Sequence, residues 1–311
     1  MVPIRLGIVG VGKIARDHHL PSIMASPAFT LVAVASRNAD LKGITCFRSI
    51  DAMLRAQPDL DAVSICTPPQ LHYEAARLAL ASGKHVLMEK PPCSSLAQLE
   101  ALQRLAHATH RTLFQIWHSQ HALALARAAR LLRERQLLRA EVIWKEDARQ
   151  WHPGQRWMWE PGGFGVLDSG INALSILTKI IREPLFPTSA RLFVPANCAT
   201  PVAADVELTT ESGITITMDL DHRHVGPERW DVAFHTDAGI LRLCWGGHVL
   251  AVGDEPAQPP ATTLASEYQE IYRIFAELIA NGTCEVDSRP LCLVADILMI
   301  ATFITVESFN A

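Results

Sequence analysis

A glycine-rich turn near the start of the chain has the residue types that a phosphate-binding loop requires. Gly10-Val11-Gly12-Lys13-Ile14-Ala15 matches the pattern Gly-x-Gly-x-x-Ala, directly after an apolar run and before a predicted helix. The first glycine permits a tight turn, the second lets backbone amides approach a pyrophosphate, and a helix amino terminus favours negative charge. The alternative is an ordinary strand-turn-helix whose glycines only relieve strain. Its position among alternating strands and helices favours dinucleotide binding.

The residues after the second predicted strand indicate which dinucleotide would bind. The sequence there is Ala35-Ser36-Arg37-Asn38, without the Asp or Glu that holds the ribose hydroxyls in NAD enzymes. A guanidinium pairs with a 2′-phosphate, and the serine hydroxyl can donate to the same group. The sequence therefore predicts NADP as the preferred cofactor, with NAD still possible. The alternative is that Arg37 is only a solvated turn residue.

The elements that must position these residues alternate along the first 120 residues. Short apolar runs predict strands at 6–9, 31–35, 62–66, 85–88 and 112–117. Between the third and fourth runs, apolar residues from Leu71 to Ala79 recur at helical spacing, and Gly83 ends the helix. This alternation predicts a doubly wound parallel sheet, a Rossmann domain over residues 1–120.

The remaining residues, 121–311, have the pattern of a second, α+β domain for substrate binding and dimerisation. A connecting helix is predicted at 123–132 and a strand at 138–146. Four β-rich runs at 206–210, 214–220, 230–236 and 240–245, joined by two turns of hairpin length, predict an antiparallel meander. Two helices close the chain, at 268–280 and about 291–306. The second is apolar nearly all round, which predicts that it packs back on the chain.

Composition excludes several classes of partner. The 311 residues carry 28 basic and 32 acidic side chains without a long run of either sign, which argues against a nucleic-acid or membrane partner. The seven cysteines form no Cys-x-x-Cys pair, and neither a signal peptide nor an apolar span of about 20 residues is evident. We therefore expect a cytoplasmic protein with a small-molecule ligand.

Three ordered motifs connect the two predicted domains to a known family. They are Cys66-Thr67-Pro68-Pro69-Gln70-Leu71-His72, then Gly83-Lys84-His85-Val86 leading to Glu89-Lys90-Pro91, and Gly162-Gly163 leading to Asp168 and Asn172. The chain thereby resembles the glucose-fructose oxidoreductase and inositol dehydrogenase family (Gfo/Idh/MocA). The resemblance implies cofactor contacts at Gly10, Gly12, Lys13, Ile14, Ser36, Arg37, Thr67, Pro68, His72, Glu89 and Lys90.

Within that family the chain is most similar to the branch that oxidises L-arabinose and D-galactose at the anomeric carbon. Residues 142–147, 151–155 and 159–163 carry this resemblance, as does Asn172, where the wider family has histidine. It implies conversion of an aldopyranose to its 1,5-lactone with reduction of NADP. The alternatives are a non-catalytic sugar sensor of the same fold and a dehydrogenase acting on another polyol, such as inositol. The choice between the two sugars stays open, because they differ only in an exocyclic hydroxymethyl group.

Oxidation at the anomeric carbon needs a base for the hydroxyl proton, and Lys90 and Asp168 are the two candidates. Lys90 follows the fourth predicted strand, at the sheet edge where ligands bind. Asp168 and Asn172 are four residues apart at a helix start and so share one face. We favour Asp168 as the proton acceptor and Lys90 as a hydrogen-bonding partner of the anomeric hydroxyl, although the roles could be exchanged. The competing interpretations are a surface lysine and a helix-capping aspartate.

Four further side chains are candidates for binding the sugar. Glu146, His152 and His118 could bond ring hydroxyls, and Trp151 could pack on a pyranose face, although His118 could equally be structural. Adjacent His18 and His19 would point about 100° apart on a helix, and no third ligand is evident, so no metal site is predicted. Apolar residues on both faces of 214–220 would suit a homodimer through the meander.

Overall fold

The computed structural model describes residues 2–253, 257–258 and 265–310. The chain divides into two compact units, Met1–His118 with Leu264–Ser288, and Ser119–Thr263 with Arg289–Ala311. The helices are α1 (Leu20–Ala25), α2 (Ile50–Ala56), α3 (His72–Ala81), α4 (Leu96–Ala108), α5 (Leu125–Arg133), α6 (Ala148–Trp151), α7 (Leu167–Ile180), α8 (Ala265–Asn281) and α9 (Arg289–Ile300). Within the described ranges, no helix is long and apolar enough to cross a membrane.

The first unit contains the predicted Rossmann sheet. Its strands are β1 (Ile4–Val9), β2 (Phe29–Ala35), β3 (Thr45–Phe47), β4 (Ala62–Ile65), β5 (His85–Met88) and β6 (Leu113–Gln115). Every pairing is parallel, in the order β3-β2-β1-β4-β5-β6. Strand β4 is buried along its whole length, as expected of a parallel strand covered on both faces. The doubly wound fold is therefore confirmed, with the short β3 added at one edge.

Helix α8 belongs to this first unit, although its position in the chain predicted that it is part of the second domain at 121–311. Its residues Tyr268, Ile271, Tyr272 and Phe275 are completely buried and join the apolar cluster that contains Leu6 and Ile8 of β1. The sequence predicted a helix at 268–280. It could not show which sheet that helix covers, because the contacts are made with residues far away in the sequence.

The second unit is a mainly antiparallel sheet, and the predicted meander is wrong in one respect. Its strands are β7 (Leu137–Lys145), β8 (Leu185–Pro195), β9 (Ala203–Thr210), β10 (Thr215–Asp221), β11 (Arg229–Thr236), β12 (Gly239–Cys244), β13 (Val249–Val252) and β14 (Thr302–Val306). The order is β13-β12-β11-β7-β10-β9-β8-β14. The hairpins β9–β10 and β11–β12 form as predicted, but β7 lies between β10 and β11 and is parallel to β10.

Two further predictions for this unit are corrected. The helix predicted at 291–306 ends at Ile300, and Thr302–Val306 pairs in parallel with β8. Four of these five residues are β-branched, which favours a strand where a sheet edge is open. In β10 the residues Ile216, Met218 and Leu220 are buried, whereas Thr215 and Thr217 on the other face are exposed. The strand is therefore not apolar on both faces.

Candidate active site

The glycine turn follows β1 and meets the ends of two neighbouring strands. Gly10 has a φ of +91°, and a Cβ there would lie 2.9 Å from the carbonyl carbon of Cys66, so only glycine fits. The amide of Gly10 donates to Ala35 O at 2.9 Å, and the amide of Cys66 donates to Val9 O at 2.7 Å. A Cβ on Gly12 would meet no described atom within 4 Å. The turn therefore has a tight base and an open second glycine, which is the cradle that a pyrophosphate needs.

The candidate residues for binding a 2′-phosphate, Ser36 and Arg37, lie beyond β2. Beside them is Arg48, which was not predicted as a cofactor-binding residue. Ser36 is half-buried and Arg37 is exposed. The guanidinium of Arg48 donates to the carbonyl oxygens of Ser36 and Arg37 at 3.3 and 3.4 Å, and it pairs with Asp40 at 3.1 Å. Arg48 follows β3, which was not predicted. Lys13, also exposed, pairs with Asp17 one turn further along.

Glu89 has its carboxylate turned into the first unit. Its side chain is 3% exposed, with Oε1 at 2.8 Å from His19 Nε2 and accepting from the Tyr268 hydroxyl at 2.6 Å. Burial alone would raise the pKa of Glu89, but the hydrogen bond and charge of His19 lower it to about 2. Oε2 accepts from the backbone amide of Lys90 at 2.9 Å. Glu89 therefore holds Lys90 in place, and its predicted cofactor role would be indirect.

His72 has a similar holding role. It is completely buried, with Nδ1 at 3.0 Å from Pro91 O and Nε2 against Thr67 O. Burial lowers the pKa of His72, whereas its contacts with the carbonyl oxygens of Thr67, Pro91 and Pro92 raise it. The ring connects the segment after β4 to the segment after β5. Thr67, Pro68 and Lys90 are half-buried, and so are better placed than His72 to meet a ligand.

His19 completes a buried polar network, whereas His18 stacks on Tyr268 with ring centroids 5.2 Å apart. The Nδ1 atom of His19 lies 2.8 Å from the Tyr272 hydroxyl, which donates to Ser64 Oγ at 3.2 Å. Burial opposes the charged form of His19, but Cys66, Tyr272 and Glu89 raise its pKa well above 6.5. His19 and Glu89 are therefore a buried ion pair.

This ion pair predicts a specific loss of stability in acid. Because the folded pKa of Glu89 is depressed from 4.5 to about 2, its contribution is complete above pH 4.5 and is lost as the pH falls through 2. The shift corresponds to about 3 kcal/mol. We expect Glu89→Gln to lower the melting temperature at neutral pH and to flatten its decline between pH 4.5 and 2, measured by calorimetry.

Glu74→Gln is the matched control, because Glu74 lies on the surface and, among the described residues, pairs only with Arg77, three residues further along α3. Its melting curve should follow that of the unmodified protein across the same pH range. Equal acid sensitivity of Glu89→Gln and the unmodified protein would show that the buried pair does not control the transition.

In the second unit, a glycine loop leads into a buried helix that carries Asp168 and Asn172. A Cβ on Gly163 would lie 2.4 Å from the carbonyl oxygens of Trp157 and Met158, and one on Gly165 would lie 2.2 Å from Pro201 O. The loop can therefore pack closely beneath the start of α7. Asp168 is 3% and Asn172 is 8% exposed, one turn apart on the same face. Among the described residues, Asn172 Oδ1 has no hydrogen-bond partner, which suits a side chain that waits for a ligand.

A second buried cluster forms where β7, β10 and β11 meet. Trp144 of β7 is paired with Leu220 of β10 on one side and with Trp230 of β11 on the other. Two residues further on, Glu146 and His222 project from the same face, because side chains alternate along strands. Glu146 Oε1 lies 2.8 Å from His152 Nε2 and 3.2 Å from His222 Nε2. Glu146 Oε2 accepts from the Trp230 indole at 2.7 Å.

The cluster holds Glu146 in its ionised form. Burial would raise the pKa of this carboxyl, but hydrogen bonds from His152 and His222 lower it well below its usual value. Glu146 Oε1, His152 Nε2 and His222 Nε2 also lie within 4.8 Å of one another, so they could in principle ligate a metal ion. His222 and Trp230 were not predicted from the sequence. Their signal was a polar or aromatic residue on the buried side of an alternating strand.

The remaining sugar candidates are positioned by their neighbours. Trp151 ends α6, and its ring meets Trp230 edge-on with centroids 4.9 Å apart, whereas Trp144 is buried as part of the core. In the first unit, His118 Nδ1 lies 2.8 Å from Oε2 of Glu267, which is 1% exposed. A buried carboxylate therefore orients His118. Glu267 was not found from the sequence, because it belongs to the distant helix α8.

The parallel sheet and glycine turn of the first unit define a dinucleotide-binding protein, and comparison with known proteins identifies its family. Residues 4–116 match the Gfo/Idh/MocA model, described as an oxidoreductase family with an NAD-binding Rossmann fold. Galactose 1-dehydrogenase of Pseudomonas fluorescens is 42% identical over 309 residues, 99% of each chain. The chain therefore belongs to the Gfo/Idh/MocA family of oxidoreductases, as its motifs indicated.

Solved structures agree with this assignment. The crystal structure of D-galactose-1-dehydrogenase from Rhizobium etli has a TM-score of 0.93 and 45% identity, covering 100% of this chain and 99% of that one. A 3-ketoreductase from Actinomadura kijaniata, solved with NADP and TDP-benzene, has a TM-score of 0.86 at 23% identity, with 98% and 99% covered. At that identity the second match supports the fold alone.

Proposed function

We propose that the protein is an aldose 1-dehydrogenase that oxidises D-galactose or L-arabinose to the 1,5-lactone and reduces NADP. The observation that carries this proposal is the full-length similarity to galactose 1-dehydrogenases, at 42% and 45% identity. The second unit supports it, because Asp168, Asn172 and the cluster around Glu146 are buried polar groups of the kind that bind sugar hydroxyls.

In the proposed reaction, the C1–H bond of the pyranose breaks with its electron pair and the anomeric O1–H bond loses its proton. Bound NADP would supply the hydride acceptor, and the Gly10 and Gly12 turn is shaped to hold its pyrophosphate. We assign the proton to Asp168 and a hydrogen bond to the anomeric oxygen to Lys90. Glu89 and His72 serve this step by fixing the backbone on either side of Lys90.

The preference for NADP over NAD is supported by the surroundings of Ser36. No carboxylate stands among residues 35–38. Arg37 is part of this segment, and the guanidinium of Arg48 donates to the carbonyl oxygens of Ser36 and Arg37. Arg48 is partly balanced by Asp40, so Arg37 is the better candidate for the 2′-phosphate.

One panel of aldoses with NADP and with NAD, followed by the absorbance of the reduced nicotinamide, tests the proposal. We expect turnover of D-galactose and L-arabinose with NADP, and little turnover of inositol. Turnover of inositol alone would favour oxidation at another carbon. Sugar binding without any turnover would favour the sensor instead. The proposed homodimer and cytoplasmic location rest on the family resemblance and on composition, and sedimentation of the purified protein would test the dimer.

A further inference from the structure

His222 is a completely buried histidine to which the proposed reaction gives no role. It follows β10, and its Nε2 atom lies 2.7 Å from Ser169 Oγ and 3.2 Å from Glu146 Oε1. Ser169 lies next to Asp168 on the first turn of α7. His222 therefore stands between two groups of candidate substrate residues, those on α7 and those around Glu146.

The hydrogen-bond partners of His222 place the proton of its ring on Nε2. The hydroxyl of Ser169 donates to Val166 O at 3.2 Å, so its oxygen is available as an acceptor for His222 Nε2–H. The ionised carboxylate of Glu146 is also an acceptor and faces the same N–H group. In the part of the chain that the structure describes, Nδ1 of His222 has no hydrogen-bond partner, which agrees with a ring protonated at Nε2.

Glu146 is then surrounded by N–H donors. His152 donates through Nε2 to the same Oε1 atom, and the indole of Trp230 donates to Oε2. A carboxylate that is 4% exposed and accepts from three N–H groups has little capacity left for a sugar hydroxyl. Its main effect is on His152, whose side chain is 18% exposed and whose Nδ1 remains for a ligand.

We propose that His222 is a positioning residue which, through Glu146, sets the orientation and tautomer of His152 so that His152 Nδ1 accepts a hydrogen bond from a ring hydroxyl of the aldose. Glu146 is accordingly an anchor rather than a direct sugar ligand. This inference deepens the proposed function and rests on it. The bond from His222 to Ser169 also connects the anchor to the turn that carries Asp168.

A bound metal ion would require a different protonation state. Zinc accepts the nitrogen and carboxylate donors that converge here, but it bonds to lone pairs, and the assignment above places protons on both Nε2 atoms. A zinc-bound cluster would lose its metal to a chelator and would have no proton on either Nε2 atom. The hydrogen-bonded cluster would be insensitive to a chelator and would keep both protons.

Paired substitutions of His222 test the proposal. His222→Leu removes the N–H donor, whereas the amide of His222→Gln can occupy the position of Nε2 and keep it. We expect His222→Leu to raise the KM for the aldose about 10-fold, with a smaller change in kcat, and His222→Gln to restore most of the loss. The Kd for NADP should be unchanged in both. His222→Asn, whose amide is too short to reach Glu146, replaces the leucine variant if that one does not fold.

His235→Gln is the control. His235 lies on β11, but on the opposite face of the strand from Trp230, Val232 and Phe234, and so away from Glu146. Its KM should equal that of the unmodified enzyme. Nitrogen-15 NMR of labelled histidines gives a readout without turnover, with His152 as the Nε2–H tautomer in the unmodified protein and a mixture of tautomers in His222→Leu.

Three results would overturn the proposal. They are an unchanged KM in His222→Leu, an equal rise in His222→Gln and His222→Leu, and activity that EDTA abolishes and Zn²⁺ restores. Absence of aldose turnover by the unmodified enzyme would refute the proposed function instead. The NMR comparison would then still decide whether His222 sets the tautomer of His152.

Discussion

Replacing Asp168 by asparagine should lower kcat about 1000-fold, which lies within the range for loss of a general base. Asparagine has nearly the same shape, so it can occupy this buried position on the first turn of α7 without opening a cavity. It cannot accept the proton of the anomeric hydroxyl. The measurement is the rate of nicotinamide reduction with saturating sugar and NADP, in steady state and in a single turnover, across a range of pH.

Two further variants show whether the effect is chemical. Ser175→Ala changes another buried polar residue of α7, whose hydroxyl donates to the helix backbone at Asn172 O, and should leave kcat within about twofold. Lys90→Met removes the proposed hydrogen bond to the anomeric oxygen and should lower kcat while retaining whatever dependence of kcat on pH the unmodified enzyme shows. If instead Lys90→Met removes that dependence and Asp168→Asn retains it, the two roles must be exchanged.

The sequence signals for the predicted nucleotide-binding residues are local. Gly10 and Gly12 are part of one turn, and their spacing reflects a requirement that the structure shows directly at Gly10. Ser36 and Arg37 follow from the same pattern, one strand further on. Arg48 was missed because it reaches these residues across the short strand β3, whose three residues carry little periodic signal.

The residues that surround the sugar-side candidates were predicted less completely, because those residues come from distant strands. Glu146 and His152 lie in one segment with a family resemblance, whereas His222 and Trp230 reach Glu146 only because β7 inserts between β10 and β11. Hairpin turns predict which neighbours in sequence pair. They do not predict which strand enters between two hairpins, so the meander was wrong and the two partners were missed.

The same limit explains the two errors near the end of the chain. The sequence predicted helices at 268–280 and at 291–306, but a helical pattern does not identify the surface on which the helix packs, and residues 302–306 form an exposed or half-buried strand. Helix α8 covers the first unit and brings Glu267 to His118, while β14 extends the sheet of the second unit. Both contacts join residues separated by more than a hundred positions. Only the tertiary structure could show them.

Replacing Arg37 by alanine should raise the KM for NADP about 10-fold to 100-fold, the range expected for loss of a charge-assisted hydrogen bond to phosphate. The KM for NAD should change little, because NAD lacks the 2′-phosphate that Arg37 would bind. Arg37 is exposed at the end of β2, so its removal should not alter the melting temperature. The measurement is the initial rate with each cofactor at saturating sugar.

Comparison with two other arginines separates a specific contact from a general effect of charge. Arg48→Ala should have a smaller effect on NADP, since Arg48 is already paired with Asp40 and with backbone carbonyls. Arg55→Ala changes an exposed arginine on α2 that pairs with Asp51, and it should have no effect on either cofactor. If Arg37→Ala binds NADP as tightly as the unmodified enzyme, the missing carboxylate after β2 does not select NADP. Equal losses for all three variants would mean that the positive potential of this edge, rather than one guanidinium, attracts the cofactor.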